Sequence, residues 1–120
     1  MISPEERTPA TGSATTGPVT LMNSFRVAED RDAEFYALWE RTSRYFTRQP
    51  GFRSLRLHRA VSTDAAYRWV NVATWDSEAD FRAAFATDEF RDVVTADGWD
   101  EFPSTPVLFE VVTQADSTVG

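Results

Sequence analysis

Cysteine is absent from this chain, which excludes a disulfide framework, a thiolate metal site, an iron–sulfur cluster and a cysteine nucleophile. Basic charge is in short supply as well. Twelve Lys and Arg against 19 Asp and Glu leave a formal charge of -7, the reverse of the footprint that phosphate backbones or anionic lipid heads demand. Nucleic acid and membrane surfaces are therefore not expected partners. No apolar run approaches the roughly 20 residues that cross a bilayer, and residues 1–18 lack the basic and apolar segments of a secretion leader. A cytoplasmic location is expected. The G-x-G-x-x-G, P-loop, G-x-S-x-G, H-E-x-x-H and paired-cysteine motifs are all missing, so nucleotide, serine-hydrolase and zinc chemistry have no support.

What is present is core material. Of 120 residues, 42% are hydrophobic and 13% aromatic, enough for one packed domain and too few for two. Residues 1–18 are rich in Thr, Ser, Gly and Pro without hydrophobic period, so burial cannot offset their ordering entropy. We read 1–18 as a disordered tail, 19–114 as the domain and 115–120 as a short second tail.

Within the domain, Val19, Leu21, Asn23, Phe25 and Val27 fall at period two and predict a strand over 19–27. Phe35, Leu38, Trp39, Thr42 and Phe46 recur at steps of three and four, predicting a helix behind Asp30 and Asp32 that Pro50 and Gly51 end. Residues 52–61 and 67–75 are β-patterned around a polar turn at Thr63 and Asp64, which predicts an antiparallel hairpin. Asp76 or Ser77 then caps a second helix whose inner face is Phe81, Ala84 and Phe85; with Ser77 as N-cap, Asp80 completes a box-like pairing. Residues 86–102 read as a helical turn followed by loop, and 106–114 as a last strand with Val107, Phe109 and Val111 on one side.

The order β-α-β-β-α-β is the ferredoxin-like α+β arrangement, an antiparallel sheet with both helices on one face. The second sheet face, carrying Val70, Val72 and Thr74, then needs a cover. A homodimer pairing sheet against sheet, a dimeric α+β barrel, is the expected cover.

On the third strand Asn71 and Trp75 are four apart and share a side, extended by parity to Tyr67, Trp69 and Ala73. First and third strands are central neighbours in this topology, so Asn23 points into the same space. Two amides and an indole converging in an apolar hollow make a small-molecule site. Taken singly, a strand asparagine or a strand-end tryptophan is more often structural. Phe35, Trp39, Phe81 and Phe85 read as core and pocket wall, while Tyr67 and Trp69 could stack on a flat ligand. Arg56, Arg59 and Arg68 read as solvated faces.

The segments Leu21-Met22-Asn23-Ser24-Phe25, Gln49-Pro50-Gly51-Phe52 and Val70-Asn71-Val72-Ala73-Thr74-Trp75-Asp76-Ser77-Glu78-Ala79-Asp80-Phe81 resemble the antibiotic biosynthesis monooxygenase family, over about Val19 to Gln114. Its anthrone oxygenases are similar in a sharper way, with an asparagine on the first strand and Asn-x-x-x-Trp on the third. Asn23, Asn71 and Trp75 stand at those positions. The resemblance implies oxidation of an anthrone-like aromatic polyketide to a quinone by molecular oxygen, with no flavin, haem or metal cofactor. It also implies a catalytic role for Asn23, Asn71 and Trp75, and at their joint spacing we favour that role over a structural one. Phe81 stands where one branch carries a tyrosine, which removes a hydroxyl. In the haem-degrading branch an axial histidine would fall near Val94 and a helix tryptophan at Ala84; neither is present, and the lone His58 sits on a strand. Alternatives on the same scaffold are a polyketide cyclase, a quinol oxidase or a non-catalytic ligand-binding dimer.

Overall fold

The computed structural model describes residues 17–95 and 98–119. Most of the expected amino-terminal tail, residues 1–16, lies outside the described residues.

Alternation builds the first strand, β1, Val19–Phe25. Val19, Leu21 and Phe25 are buried, whereas Met22 between them is 40% exposed. A single 3-10 turn, Glu29–Arg31, leads into α1, Asp32–Phe46, which buries Phe35, Leu38 and Tyr45. Asp32 and Glu34 place negative charge in its first turn, where the helix dipole favours it. The chain reverses at Gly51, whose φ of +82° suits glycine; a Cβ there would collide with the Asp80 side chain.

A hairpin follows: β2, Phe52–Arg59, and β3, Trp69–Trp75. Its arms are shorter than the sequence predicts, and Tyr67 falls outside β3. Ser77 caps α2, Glu78–Ala84, accepting from the Asp80 backbone N–H at 3.1 Å and donating to the Asp80 carboxylate at 3.0 Å. Where the sequence predicts a helical turn and loop there is a third helix, α3, Asp88–Val94, capped by Thr87, whose Oγ1 accepts from Phe90 N–H at 2.9 Å. A 3-10 turn at Trp99–Glu101 precedes β4, Ser104–Phe109. This last strand ends five residues before the expected Gln114, and Val111 lies beyond it at 67% exposure.

The four strands form one antiparallel sheet in the order β2-β3-β1-β4, the ferredoxin-like α+β fold. β1 and β3 are its centre, with Leu21 opposite Ala73 and Asn23 opposite Asn71. Their inward side chains belong to two separate clusters. One gathers Val19, Leu21, Ala73, Trp75, Phe81 and Ala84; the other gathers Phe25, Phe35, Leu38, Trp69 and Phe102. The Asn23–Asn71 pair occupies the row between them.

Candidate active site

Between sheet and helices lies a cavity of about 310 Å³. That is at the small end of the roughly 300–1,000 Å³ typical of ligand pockets. Leu21, Asn23, Phe25, Phe52, Leu55, Asn71, Ala73 and Trp75 form its floor, and Trp39, Thr42, Ser43 and Phe46 of α1, with Phe85 just past α2, face them. Phe90 and Val94 of α3, then Trp99, Phe102, Ser104 and Pro106, complete the wall. Among the described residues no charged, histidine or tyrosine side chain lines it.

β1 and β3 bring the two asparagines side by side, because residues 23 and 71 are register partners on the inward face. Trp75 shares that face two inward positions along β3. The Asn23 Oδ1, Asn71 Oδ1 and Trp75 Nε1 atoms are buried and have no hydrogen-bond partner. An orphaned buried polar group costs about 1–3 kcal/mol, and all three belong to side chains that line this one hollow.

The indole that lacks a partner is held by rings. Trp75 stands edge-on to Phe46, Phe52 and Phe81 at centroid distances of 6.2, 5.3 and 5.9 Å. Phe52 reaches this cluster through a bulge: it pairs with Trp75 while Ser54 pairs with Thr74, so one extra residue turns Phe52 inward. On the opposite wall, Trp99 Nε1–H donates to Thr42 Oγ1 at 2.9 Å, and Thr42 donates to the Leu38 carbonyl at 3.0 Å. This pair fastens the 3-10 turn to α1.

The other expected pocket residues divide. Trp39 and Phe85 line the cavity; Phe35, Trp69, Phe81 and Tyr67 do not. Phe35 is fully buried and packs on Phe25, Trp69 and Phe102 at 4.9, 5.2 and 5.5 Å. Phe81 lies behind the wall, 4.4 Å from Phe85. Trp69 turns its Nε1–H to Asp32 Oδ1 at 2.8 Å, so its polar atom is committed to the fold. Tyr67 is 37% exposed, with its ring under Arg26 and its hydroxyl 3.5 Å from Thr105 Oγ1. That hydroxyl contact, with the Arg26 charge behind it, lowers the phenol's pKa. His58 is exposed on β2, paired with Val70 on the sheet's other face.

Sequence reasoning had no access to Phe90, Trp99, Phe102 and Ser104. Phe90, Trp99 and Phe102 stand in the stretch that connects α2 to β4, where no period is long enough to assign a face, and Ser104 opens β4 ahead of the predicted start of that strand. Thr42 and Phe46 were visible as part of the helical stripe.

Comparison with known proteins places this arrangement. The family model for antibiotic biosynthesis monooxygenase matches residues 18–96. The chain belongs to that family. Deoxynogalonate monooxygenase of Streptomyces nogalater is 40% identical over 78 residues, 65% of this chain and 64% of that protein, so the match spans less than two thirds of the relative. The solved structure of SnoaB from Streptomyces nogalater, a cofactor-independent oxygenase, is 32% identical with a TM-score of 0.72, covering 84% of this chain and 99% of that one. A structure from Shewanella loihica PV-4 is also 32% identical, with a TM-score of 0.71 and coverages of 84% and 100%. As a member of the antibiotic biosynthesis monooxygenase family, the chain carries its Asn23, Asn71 and Trp75 on the inner face of the family's sheet.

Proposed function

We propose that this chain is a cofactor-independent monooxygenase that oxidises an anthrone-like aromatic polyketide intermediate to a quinone with molecular oxygen. The observation that carries the reading is the trio of unpartnered buried atoms, Asn23 Oδ1, Asn71 Oδ1 and Trp75 Nε1, around an apolar cavity.

Ground-state oxygen reacts slowly with most organic molecules, and a cofactor ordinarily supplies the electrons. An anthrone supplies its own. Its methylene loses a proton to give a delocalised anion, which passes one electron to oxygen; the radical pair couples and takes up a proton as a hydroperoxide. Loss of water, taking the remaining methylene hydrogen, leaves the second carbonyl. One anthrone and one oxygen molecule thus give one quinone and one water.

The side chains have matching tasks. Each carboxamide offers a donor and an acceptor without titrating. The Oδ1 atoms of Asn23 and Asn71 accept from phenolic hydroxyls of the substrate, and their amide N–H groups stabilise the developing enolate or peroxide oxygen. The Trp75 N–H is a third donor, oriented by the rings around it. With no titratable lining side chain among the described residues, the proton leaves to water or to an oxygen of the substrate.

The same proposal includes a homodimer. Met22, Val107 and Phe109 are 40, 44 and 46% exposed and, by register, share the outer sheet face with Val70 and Val72. A second copy laid sheet to sheet removes this apolar surface from water.

The test is anthrone incubated with the protein under air and under nitrogen. Quinone absorbance that requires both protein and oxygen is expected. Equal product in both atmospheres would replace the oxygenase with a cyclase or another non-oxidative reaction.

A further inference from the structure

The inward side chains of β3 run Trp69, Asn71, Ala73, Trp75. Three are large and one is a methyl group. Ala73 lines the cavity although it is only 4% exposed, and its register partners, Leu21 on β1 and Leu55 on β2, line the cavity on either side. The floor is therefore lowest at Ala73 and rises toward both ends of the strand. At one end stand the orphaned oxygens of Asn23 and Asn71, and at the other the orphaned N–H of Trp75. Four residues of strand, at about 3.3 Å each, separate Asn71 from Trp75 by roughly 13 Å. Trp39, Phe46 and Phe85 roof this span with aromatic surface.

We propose that Ala73 is the specificity-determining residue of the cavity: its small side chain opens a slot along β3 for a flat, uncharged system of three fused rings with oxygen substituents at both ends. The inference rests on the proposed function only in taking this cavity as the substrate site. A ring lying along the strand puts its face on the Ala73 methyl and its polar ends against the unpartnered groups. A branched side chain at this position would stand where the middle ring lies. Charged substituents are disfavoured because no described lining residue carries a compensating charge.

Ligand binding measured by quenching of tryptophan fluorescence under nitrogen tests the slot, with anthrone as the three-ring probe and 1-naphthol as the two-ring probe. Ala73→Val and Ala73→Leu are expected to weaken anthrone by about tenfold or more while keeping 1-naphthol within about threefold of the unsubstituted chain. Ala73→Ser, which keeps the size, retains anthrone. Because Val and Leu would grow into the hollow, neither variant melts below the unsubstituted chain. Parallel loss of both probes, unchanged anthrone binding, or a lower melting temperature would each overturn the proposal. Turnover in air separates the two readings. An unsubstituted chain that binds anthrone and never forms quinone defeats the oxygenase and supports the slot; Ala73→Leu oxidising anthrone at the original rate defeats the slot and supports the oxygenase.

Discussion

The Asn71 Oδ1 is buried without a partner, a liability of about 1–3 kcal/mol that an apolar side chain of similar volume would remove. Asn71→Leu is accordingly expected to raise the melting temperature while turnover of an anthrone falls by about 10²- to 10³-fold, the usual effect of losing one preorganised oxyanion donor. Paired melting and rate measurements check both halves, and a variant that is both active and more stable would show that the amide is not used. Trp75→Phe separates ring from N–H in the same way. Its contacts with Phe46, Phe52 and Phe81 survive, so we expect a folded protein whose turnover drops about 10²-fold; circular dichroism and initial rates are sufficient to tell. At this scale the sequence was legible wherever strand parity held. Parity aligned Asn71 and Trp75 correctly and drew Tyr67 in wrongly, because β3 begins only at Trp69. The inward turn of Phe52 was hidden for a related reason: a bulge breaks the period-two pattern on which the reading relied.

Among the elements, α1 is fixed at its start by Asp32. Its carboxylate accepts from Arg68 Nε and Nη2 at 2.8 and 2.7 Å and from Trp69 Nε1 at 2.8 Å, and Arg59 stands 3.5 Å away. The helix is thereby tied to the start of β3. Hydrogen bonding from Arg68, reinforced by Trp69 and the nearby positive charges, lowers the Asp32 pKa from 3.8 to about 2. A depressed pKa in the folded state means that this contribution is complete above pH 3.8 and is lost as pH falls toward 2. Asp32→Asn should destabilise the chain by roughly 1.5–3 kcal/mol at neutral pH and flatten the loss of stability between those two pH values. Denaturant titrations at a series of pH values read both effects. Long periodic elements such as α1 were evident from the sequence, as was the Ser77 cap. α3 was not, since seven residues are too few for a helical period to declare itself, and its Thr87 cap looks like any other polar residue in a connecting segment. The Asp32 clamp was equally invisible, because it joins residues 36 and 37 positions apart.

For the whole molecule, the two sheet faces have different fates. The inner face is covered by helices, whereas Met22, Val107 and Phe109 remain open on the outer one. Val107→Glu places a charge on that surface, beside Met22, without touching the cavity lining, so it is expected to convert the proposed dimer to a monomer that stays folded. Light scattering at micromolar concentration gives the answer, and an unsubstituted chain that is already monomeric would count against the pairing. The topology was readable because strand and helix order constrain a ferredoxin-like sheet tightly. For the outer face the sequence was readable only as a need for cover.

Two hydrophobic clusters flank the asparagine row and the cavity beside it. Binding in that cavity makes heat tolerance a gauge of occupancy. A compound held by the native chain and not by the unfolded one adds about 2.7 kcal/mol at a hundredfold excess over its dissociation constant. Melting curves run across a panel of aromatic polyketides should therefore rank them by fit before any product is known, and the compound giving the largest upward shift becomes the first to assay for oxygen consumption.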